Sequence, residues 1–266
     1  MSLTAAPRKA SRTVGLVLTY NGERLLARCL ASLAFCEHVL VVDSQSTDNT
    51  VAIARAAGAE VLQRRWEGPG PQFRFALEHI QAMVPPVDWV VSLDQDEWLA
   101  EELAANIQKA TASDTANAGF MMARSSYYFN GFMRHGGWYP DRLLRLFRPG
   151  GMEIRVSGAH ESFYPLGPTG QLDGDIIHYP YRDFREHLDK INSYAQQAAD
   201  ELRRNGRKGG VLTGVVHGLG RFVKLYIIKL GLLDGRAGFI NAVHGAFYAF
   251  LKYVRAAGPE TWGPDS

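Results

Sequence analysis

The sequence predicts an α/β protein with a doubly wound, mostly parallel sheet, flanking helices and a helical appendage at its C-terminus. Three observations carry this. Through the first hundred residues, apolar runs of strand length alternate with helical stretches. Several of those runs end on polar or acidic residues, where ligands sit beyond the carboxyl ends of an open α/β sheet. From residue 206 onward the pattern turns to long apolar helices carrying basic residues.

The elements follow in order. Val14 to Thr19 (V-G-L-V-L-T) is a first strand, turned by Tyr20, Asn21 and Gly22 into a helix over Glu23–Ala34. Val39 to Val42 is a second strand ending on Asp43. Ser44 to Thr50 then supplies turn and cap chemistry for a helix over Val51–Ala57, closed by Gly58. Ala59–Gln63 is a third strand, Trp66–Pro71 a loop, Gln72–Met83 an amphipathic helix and Trp89–Leu93 a fourth strand. After Leu99 the expectation is a helix over Glu101–Ala110, strands at Phe120–Tyr128 and Leu143–Phe147, an apolar strand around Ile176–Tyr181 and a helix over Asp183–Arg204. The 266 residues suit one sizeable domain with an appendage, and 46% apolar with 21% charged residues is ordinary for a packed core. The expected division is a flexible N-terminus at 1–12, a principal domain at 13–205 and a basic amphipathic region at 206–266.

Cys29 and Cys36, seven apart, form neither a disulfide framework nor a zinc pattern, which fits a reducing, cytosolic setting. The N-terminus lacks a signal-type apolar stretch, and no uninterrupted run of about 18 apolar residues marks a clear span. G-x-x-x-x-G-K-[ST] is absent, and no G-x-G-x-x-G follows the first strand. What stands at the strand ends is Thr19, Asn21, Asp43, Ser44 and Asp48, then Asp94 and Asp96.

The stretch Trp89–Leu99, W-V-V-S-L-D-Q-D-E-W-L, runs an apolar strand into Asp94, Asp96 and Glu97. Clustered acids repel one another unless something positive arrives, and oxygen ligands favour a hard divalent cation. The alternative is an acidic turn capping the next helix. Asp43 likewise suits ribose hydroxyls or a base, or a helix cap.

L-T-Y-N-G-E-R-L-L-x-x-C-L-x-S-L, V-V-D-S-Q-S-T-D-N-T and L-D-Q-D-E resemble the inverting family-2 glycosyltransferases of GT-A fold, over about 100 residues. W-E-G-P-G-P-Q-F-R-F-A-L, the later His-Glu pair and the C-terminal pattern are similar to lipopolysaccharide core β-glucosyltransferases. Two departures stand out: Gly22 between Asn21 and Glu23, and Gln45 where glycine is usual. The resemblance implies a nucleotide diphosphate sugar donor, UDP-linked glucose by preference. Thr19, Asn21, Asp43, Ser44, Arg74, Asp94, Gln95 and His160 would contact it. A divalent metal, Mg²⁺ or Mn²⁺, would lie on Asp96, with His178 completing the site. Arg64 and Arg65 are further cationic candidates, each also readable as surface arginine. Trp138, Tyr139 and Pro140 read as a wall for a sugar or as plain core; Asp141 and Arg142 match donor or acceptor contacts.

Inverting transfer needs one base to take the acceptor hydroxyl's proton. Glu161 is the first candidate and Asp141 the second; the structural alternative pairs Glu161 with Arg155. In the tail, His217, Arg221 and Lys224 share one helical face, and Asn241, His244, Tyr248, Lys252 and Arg255 another. Eight basic residues between 207 and 255 face one acid, Asp234, an excess of seven. Apolar faces with basic flanks suit an anionic membrane surface, with packing on the core as the alternative. Nucleic acid is a poorer fit, because the basic residues alternate with broad apolar faces. The expectation is therefore a peripheral enzyme on the inner face of the cytoplasmic membrane, acting on a lipid-anchored glycan such as lipopolysaccharide core. A nucleotidyltransferase is one alternative, although T-Y-N-G-E-R replaces the Gly-rich basic loop such enzymes carry. A catalytically silent nucleotide-sugar-binding scaffold is another.

Overall fold

Strand β1 (Thr13–Thr19) is buried along both faces, and its alternate side chains feed two different core layers. Val17 packs with Leu26, Leu30 and Leu33 of the helical segment beyond it, while Val14 and Leu16 pack with Phe73, Leu77 and Ile80. A strand buried on both sides reads as a continuous apolar run, which is why V-G-L-V-L-T shows no alternation. In the computed structural model, residues 11–157 and 160–258 are described, with side chains at 156–162 outside that description.

Helix α1 (Leu26–Ser32), β2 (His38–Asp43), α2 (Thr50–Ala56), β3 (Glu60–Gln63), α3 (Pro69–Gln81) and β4 (Trp89–Asp94) complete the alternating half. β1 pairs in parallel with β2 and β4, and β2 with β3. Helices α1 and α2 cover one face and α3 the other, the doubly wound arrangement expected. Cys36 falls beyond the end of α1, and neither Cys29 nor Cys36 is in a disulfide.

The second half departs from the expected pattern. A three-residue strand β5 (Glu97–Leu99) precedes α4 (Glu101–Ala112), followed by β6 (Gly119–Tyr128), β7 (Gly131–Phe132), β8 (Asp141–Phe147), β9 (Met152–Ser157), β10 (His160–Pro165) and β11 (Thr169–His178). The sheet order is β3-β2-β1-β4-β8-β6-β11-β5; β8 runs antiparallel to β4, and β11 to β5. β9 and β10 form a separate hairpin. Glu97 therefore opens a strand rather than a helix, and β11 is ten residues long, starting well before Ile176. Three residues of β5 are too few to separate from loop by periodicity, and the start of β11, T-G-Q-L-D-G-D, carries only one apolar residue.

The chain divides into two compact units, and the boundary differs from the expected 205/206. Unit 1 comprises the described residues up to Arg124 together with Arg142–His178; unit 2 comprises Ser125–Asp141 and Tyr179 onward. Unit 2 contains α5 (Phe184–Arg204), α6 (Val211–Val223) and α7 (Gly235–Ala257). Helix α5 groups with the tail because α7 packs along it, and Arg255 donates to the Asn192 carbonyl at 2.7 Å and to its side-chain oxygen at 2.5 Å. Asp183 caps α5 by accepting from the Glu186 amide at 2.8 Å, and the Arg182 amide donates to the Glu186 carboxylate at 2.7 Å.

Candidate active site

The parallel register brings the unit 1 candidates to one edge. Thr19 stands opposite Asp43, and Leu18 opposite Asp94, so three strand ends finish level. Asp43 is fully buried. Its carboxylate accepts from Thr19 Oγ1 at 3.1 Å, the Ser46 amide at 3.0 Å, Ser46 Oγ at 2.5 Å and Gln63 Nε2 at 3.1 Å. These four donors occupy about as many sites as a carboxylate offers, so contact with a base or ribose would have to replace one of them. Ser44 is buried and accepts from Gln72 Nε2 at 3.0 Å.

Asn21 and Gln95 act on the backbone. Asn21 Oδ1 accepts from the Thr47 amide at 2.9 Å, and its own amide donates to Ser46 Oγ at 2.8 Å. Gln95 Oε1 accepts from the Tyr20 amide at 2.7 Å, and its Nε2 donates to the Tyr20 carbonyl at 2.9 Å. Through these two bonds the Gln95 amide ties the residue after β4 to the residue after β1. This also accounts for Gly22, where a Cβ would come within 2.4 Å of Gln95 Oε1. Gln45 has φ of 65°, a left-handed backbone that explains why glycine is usual there.

Beyond β4 the acids separate in role. Glu97 is fully buried, bonded by Arg124 at 2.8 Å and by Arg145 at 2.9 Å, and its Oε2 accepts the Asp94 amide at 3.0 Å. Arg145 also reaches Asp94 Oδ2 at 2.5 Å. The Asp94 side chain keeps 45% of its surface exposed. Its carboxyl nonetheless lies over dense protein: desolvation works to raise its pKa, and the Arg145 charge and hydrogen bond, with Arg124 and His178, override this and hold it below the usual carboxylate range. Burial works against the Arg145 charge, and Asp94 and Glu97 more than restore it. Arg124 and Arg145 were not among the sequence candidates. Their signal was a lone guanidinium inside an apolar strand, in M-M-A-R-S and L-L-R-L-F, which calls for a buried anion.

Asp96 and His178 meet because β11 pairs with β5. His178 stands opposite Glu97, the residue after Asp96, and its Nε2 lies 3.8 Å from Asp96 Oδ2. Both side chains are largely shielded, at 25% and 13% exposure. No group of three or more His, Cys, Asp or Glu is arranged around a metal among the described residues. A carboxylate and an imidazole on one spot still fit a Mg²⁺- or Mn²⁺-type ion, which commonly takes only one or two protein ligands and completes its shell with phosphates and water. The group also carries three carboxylates, Asp94, Asp96 and Glu97, against two guanidiniums, leaving a formal negative charge for a cation.

The remaining candidates are dispersed. Glu161 and His160 lie in β10, with Glu161 opposite Val156; their side chains lie outside the described residues. Arg155, the alternative partner for Glu161, is bonded to Glu153 at 2.8 Å. Asp141, Trp138, Tyr139 and Pro140 belong to unit 2. Arg74 and Arg65 are exposed, and Arg64 pairs with Glu67 at 2.7 Å. A cavity of about 590 Å³ in unit 1 is elsewhere, at the opposite end of β2 between α1 and α2. It is lined mainly by alanine and leucine, and its one thiol, Cys36, is pushed up to about 12 by burial.

A doubly wound sheet with acids across its strand ends is compatible with a glycosyltransferase, and similarity supplies the family. The family described as Glycosyl transferase family 2 matches residues 16–163, and the chain belongs to that family. It is 30% identical to the lipopolysaccharide core biosynthesis glycosyltransferase LpsC of Rhizobium meliloti over 251 residues, covering 90% of this chain and 89% of the relative. An uncharacterized glycosyltransferase of Rickettsia typhi is 27% identical over 259 residues, covering 90% and 84%. Among solved structures, glucosyl-3-phosphoglycerate synthase from Mycobacterium tuberculosis, in complex with Mn²⁺, UDP and glucosyl-3-phosphoglycerate, overlaps loosely. It is 16% identical with a TM-score of 0.48, covering 76% of this chain and 82% of that one.

Proposed function

We propose that the chain transfers a hexose, by preference glucose from UDP-glucose, to a lipid-linked glycan of the lipopolysaccharide-core type, with inversion at the anomeric carbon. The observation that carries this reading is the level edge of Thr19, Asp43 and Asp94 with Asp96 and His178 meeting just beyond it. The Asp43 network shapes a rigid rim for the nucleoside. Asp94, kept ionised and exposed, faces the ribose or sugar hydroxyls as an acceptor. Asp96 and His178 would hold the divalent metal, which supplies charge compensation for the departing diphosphate.

The acceptor hydroxyl attacks the anomeric carbon, the bond to the nucleoside diphosphate breaks, and Glu161 takes the hydroxyl proton, with Asp141 as the second candidate base. Similarity to LpsC, a lipopolysaccharide core biosynthesis glycosyltransferase, supports the acceptor class.

Peripheral binding to the membrane is supported by unit 2. Val211, Leu212, Val215, Val216, Leu219 and Val223 of α6 are exposed, as are Phe239, Val243 and Phe247 of α7. The run Val211–Ile228 is long and apolar enough to cross a membrane by length and composition, and only 17% of it is buried. The expected polar stripe of α7 turns inward, with Asn241 and His244 buried, and the apolar face is the one left outside.

The test is UDP-glucose binding and glucosyl transfer to a lipopolysaccharide core acceptor, with and without Mg²⁺ or Mn²⁺. Metal-dependent binding and turnover support the reading. Nucleotide-sugar affinity with no metal dependence and no turnover sinks it in favour of a silent binding protein.

A further inference from the structure

Unit 2 holds a cavity of about 510 Å³ that the transfer chemistry above does not use. Its size falls within the roughly 300–1,000 Å³ range of small-molecule sites, well beyond a bare inorganic anion. Three cations line it, Arg221, Lys224 and Lys229, and no carboxylate does. Among the described residues none of the three has an ion-pair partner. All three side chains are exposed, so solvent screens their mutual repulsion, and together they leave the hollow positively charged and open to an anionic ligand.

Local structure holds them there. Helix α6 passes into a π-helical turn at Lys224–Ile228, and Leu230 turns the chain with a φ of 56°. The Gly136 amide clamps the Lys229 carbonyl at 2.8 Å. Asp234, the one acid between 207 and 255, is already engaged: it accepts from the His135 amide at 2.8 Å and meets His135 Nδ1 at 2.9 Å. π-Helical turns inside longer helices recur at functional sites.

The walls are of a different kind. Trp138, Tyr181, Tyr194 and Tyr248 contribute aromatic surface, which suits the apolar faces of a sugar ring. The buried histidines His187 and His244 form its inner side; their Nδ1 atoms lie 3.0 Å apart, and Tyr128 Oη is 2.7 Å from the first. At 100° per residue, Arg221 and Lys224 lie opposite the exposed apolar side chains of α6 on the same helical run. A ligand presented by a lipid surface against that apolar side would therefore have its head group within reach of a cationic hollow in the same unit.

From this juxtaposition of unpaired cations and aromatic walls beside an exposed apolar surface, we infer that the unit 2 cavity binds a phosphorylated sugar carried on a lipid, an acceptor-recognition subsite. The inference rests on the glycosyltransferase reading and names a phosphate as the feature of the acceptor that is read. Charge-assisted bonds to phosphate from Arg221, Lys224 and Lys229 would set the affinity, and stacking on the aromatic walls would orient the ring.

The test uses the full chain and soluble probes. Glucose 6-phosphate is expected to bind at least about tenfold more tightly than glucose, because a charge-assisted bond contributes about a factor of ten or more. The variant R221Q/K224Q/K229Q should lose that preference, and R221K/K224R/K229R should keep most of it, which separates charge from fold. Equal binding of the two sugars, or an unchanged preference in the glutamine variant, overturns the inference. Flotation with phosphatidylcholine vesicles, with and without phosphatidic acid, distinguishes the source of the phosphate. Cation-dependent capture by phosphatidic acid with no glucose 6-phosphate binding would assign the cavity to bilayer head groups and also overturn it. Metal-dependent UDP-glucose binding is measured on the same samples; its loss in the unaltered protein counts against the glycosyltransferase reading alone.

Discussion

His178 Nε2 lies 3.8 Å from Asp96 Oδ2, although 82 positions separate them in the chain. The relationship exists because β11 returns antiparallel to β5 and sets His178 opposite Glu97. If this pair holds the metal, His178→Ala should weaken metal-dependent UDP-glucose binding by at least about tenfold, and Asp96→Ala should abolish it. Isothermal titration with and without Mn²⁺ checks both; metal dependence intact in Asp96→Ala would remove Asp96 from the site.

Glu161→Gln should leave donor binding unchanged and lower transfer by roughly 10²–10⁴-fold, the usual contribution of a general base. Full turnover in that variant passes the role to Asp141, which the same assay on Asp141→Asn then examines.

Arg145 is predicted to be structural as well as electrostatic. It bridges Asp94 and the fully buried Glu97, so Arg145→Met leaves Glu97 with Arg124 alone and Asp94 without its guanidinium, and should destabilise by about 1.5–3 kcal/mol. Arg145→Lys should recover only part, since an ammonium cannot reproduce the fork. Denaturant midpoints measure this.

Acid should act on the two units in different ranges. His187 is lowered to about 4 by burial, with His244 and Lys190 adding to it. Below its unfolded value near 6.5 the unfolded chain binds more protons, so stability present above about pH 6.5 is lost as pH falls toward 4, on the order of 2–3 kcal/mol. The Asp94 contribution is present above the ordinary carboxylate value near 3.9 and is lost only below it. Thermal unfolding from pH 7 to 3 should show the earlier loss, and His187→Gln should remove it.

Leu219 is 64% exposed, so Leu219→Asp should alter stability by no more than about 0.5 kcal/mol while weakening flotation with anionic vesicles. Unchanged flotation would count against α6 as the membrane-facing surface.

Gly22→Ala should displace Gln95 from Tyr20 and raise the donor KM, and its effect should be non-additive with Gln95→Ala. Simple additivity in a double-mutant cycle would separate the two residues.

The sequence by itself determined the alternating half of the sheet, because each strand there is an apolar run and each helix between them turns an apolar face to the core. It also determined that Asp43 and Asp94 close β2 and β4 beside Thr19 of β1, since parallel strands place their carboxyl ends on one edge. Only the tertiary structure decided which acids are equivalent. Glu97 and Asp96 are neighbours in sequence, but the pairing of β5 with β11 leaves Glu97 fully buried against two arginines and Asp96 beside His178. Long-range pairing likewise turned the basic residues of α6 into the lining of a cavity, while leaving the apolar face exposed. Periodicity says which residues share a face; what that face meets depends on chain segments that local pattern cannot bring together.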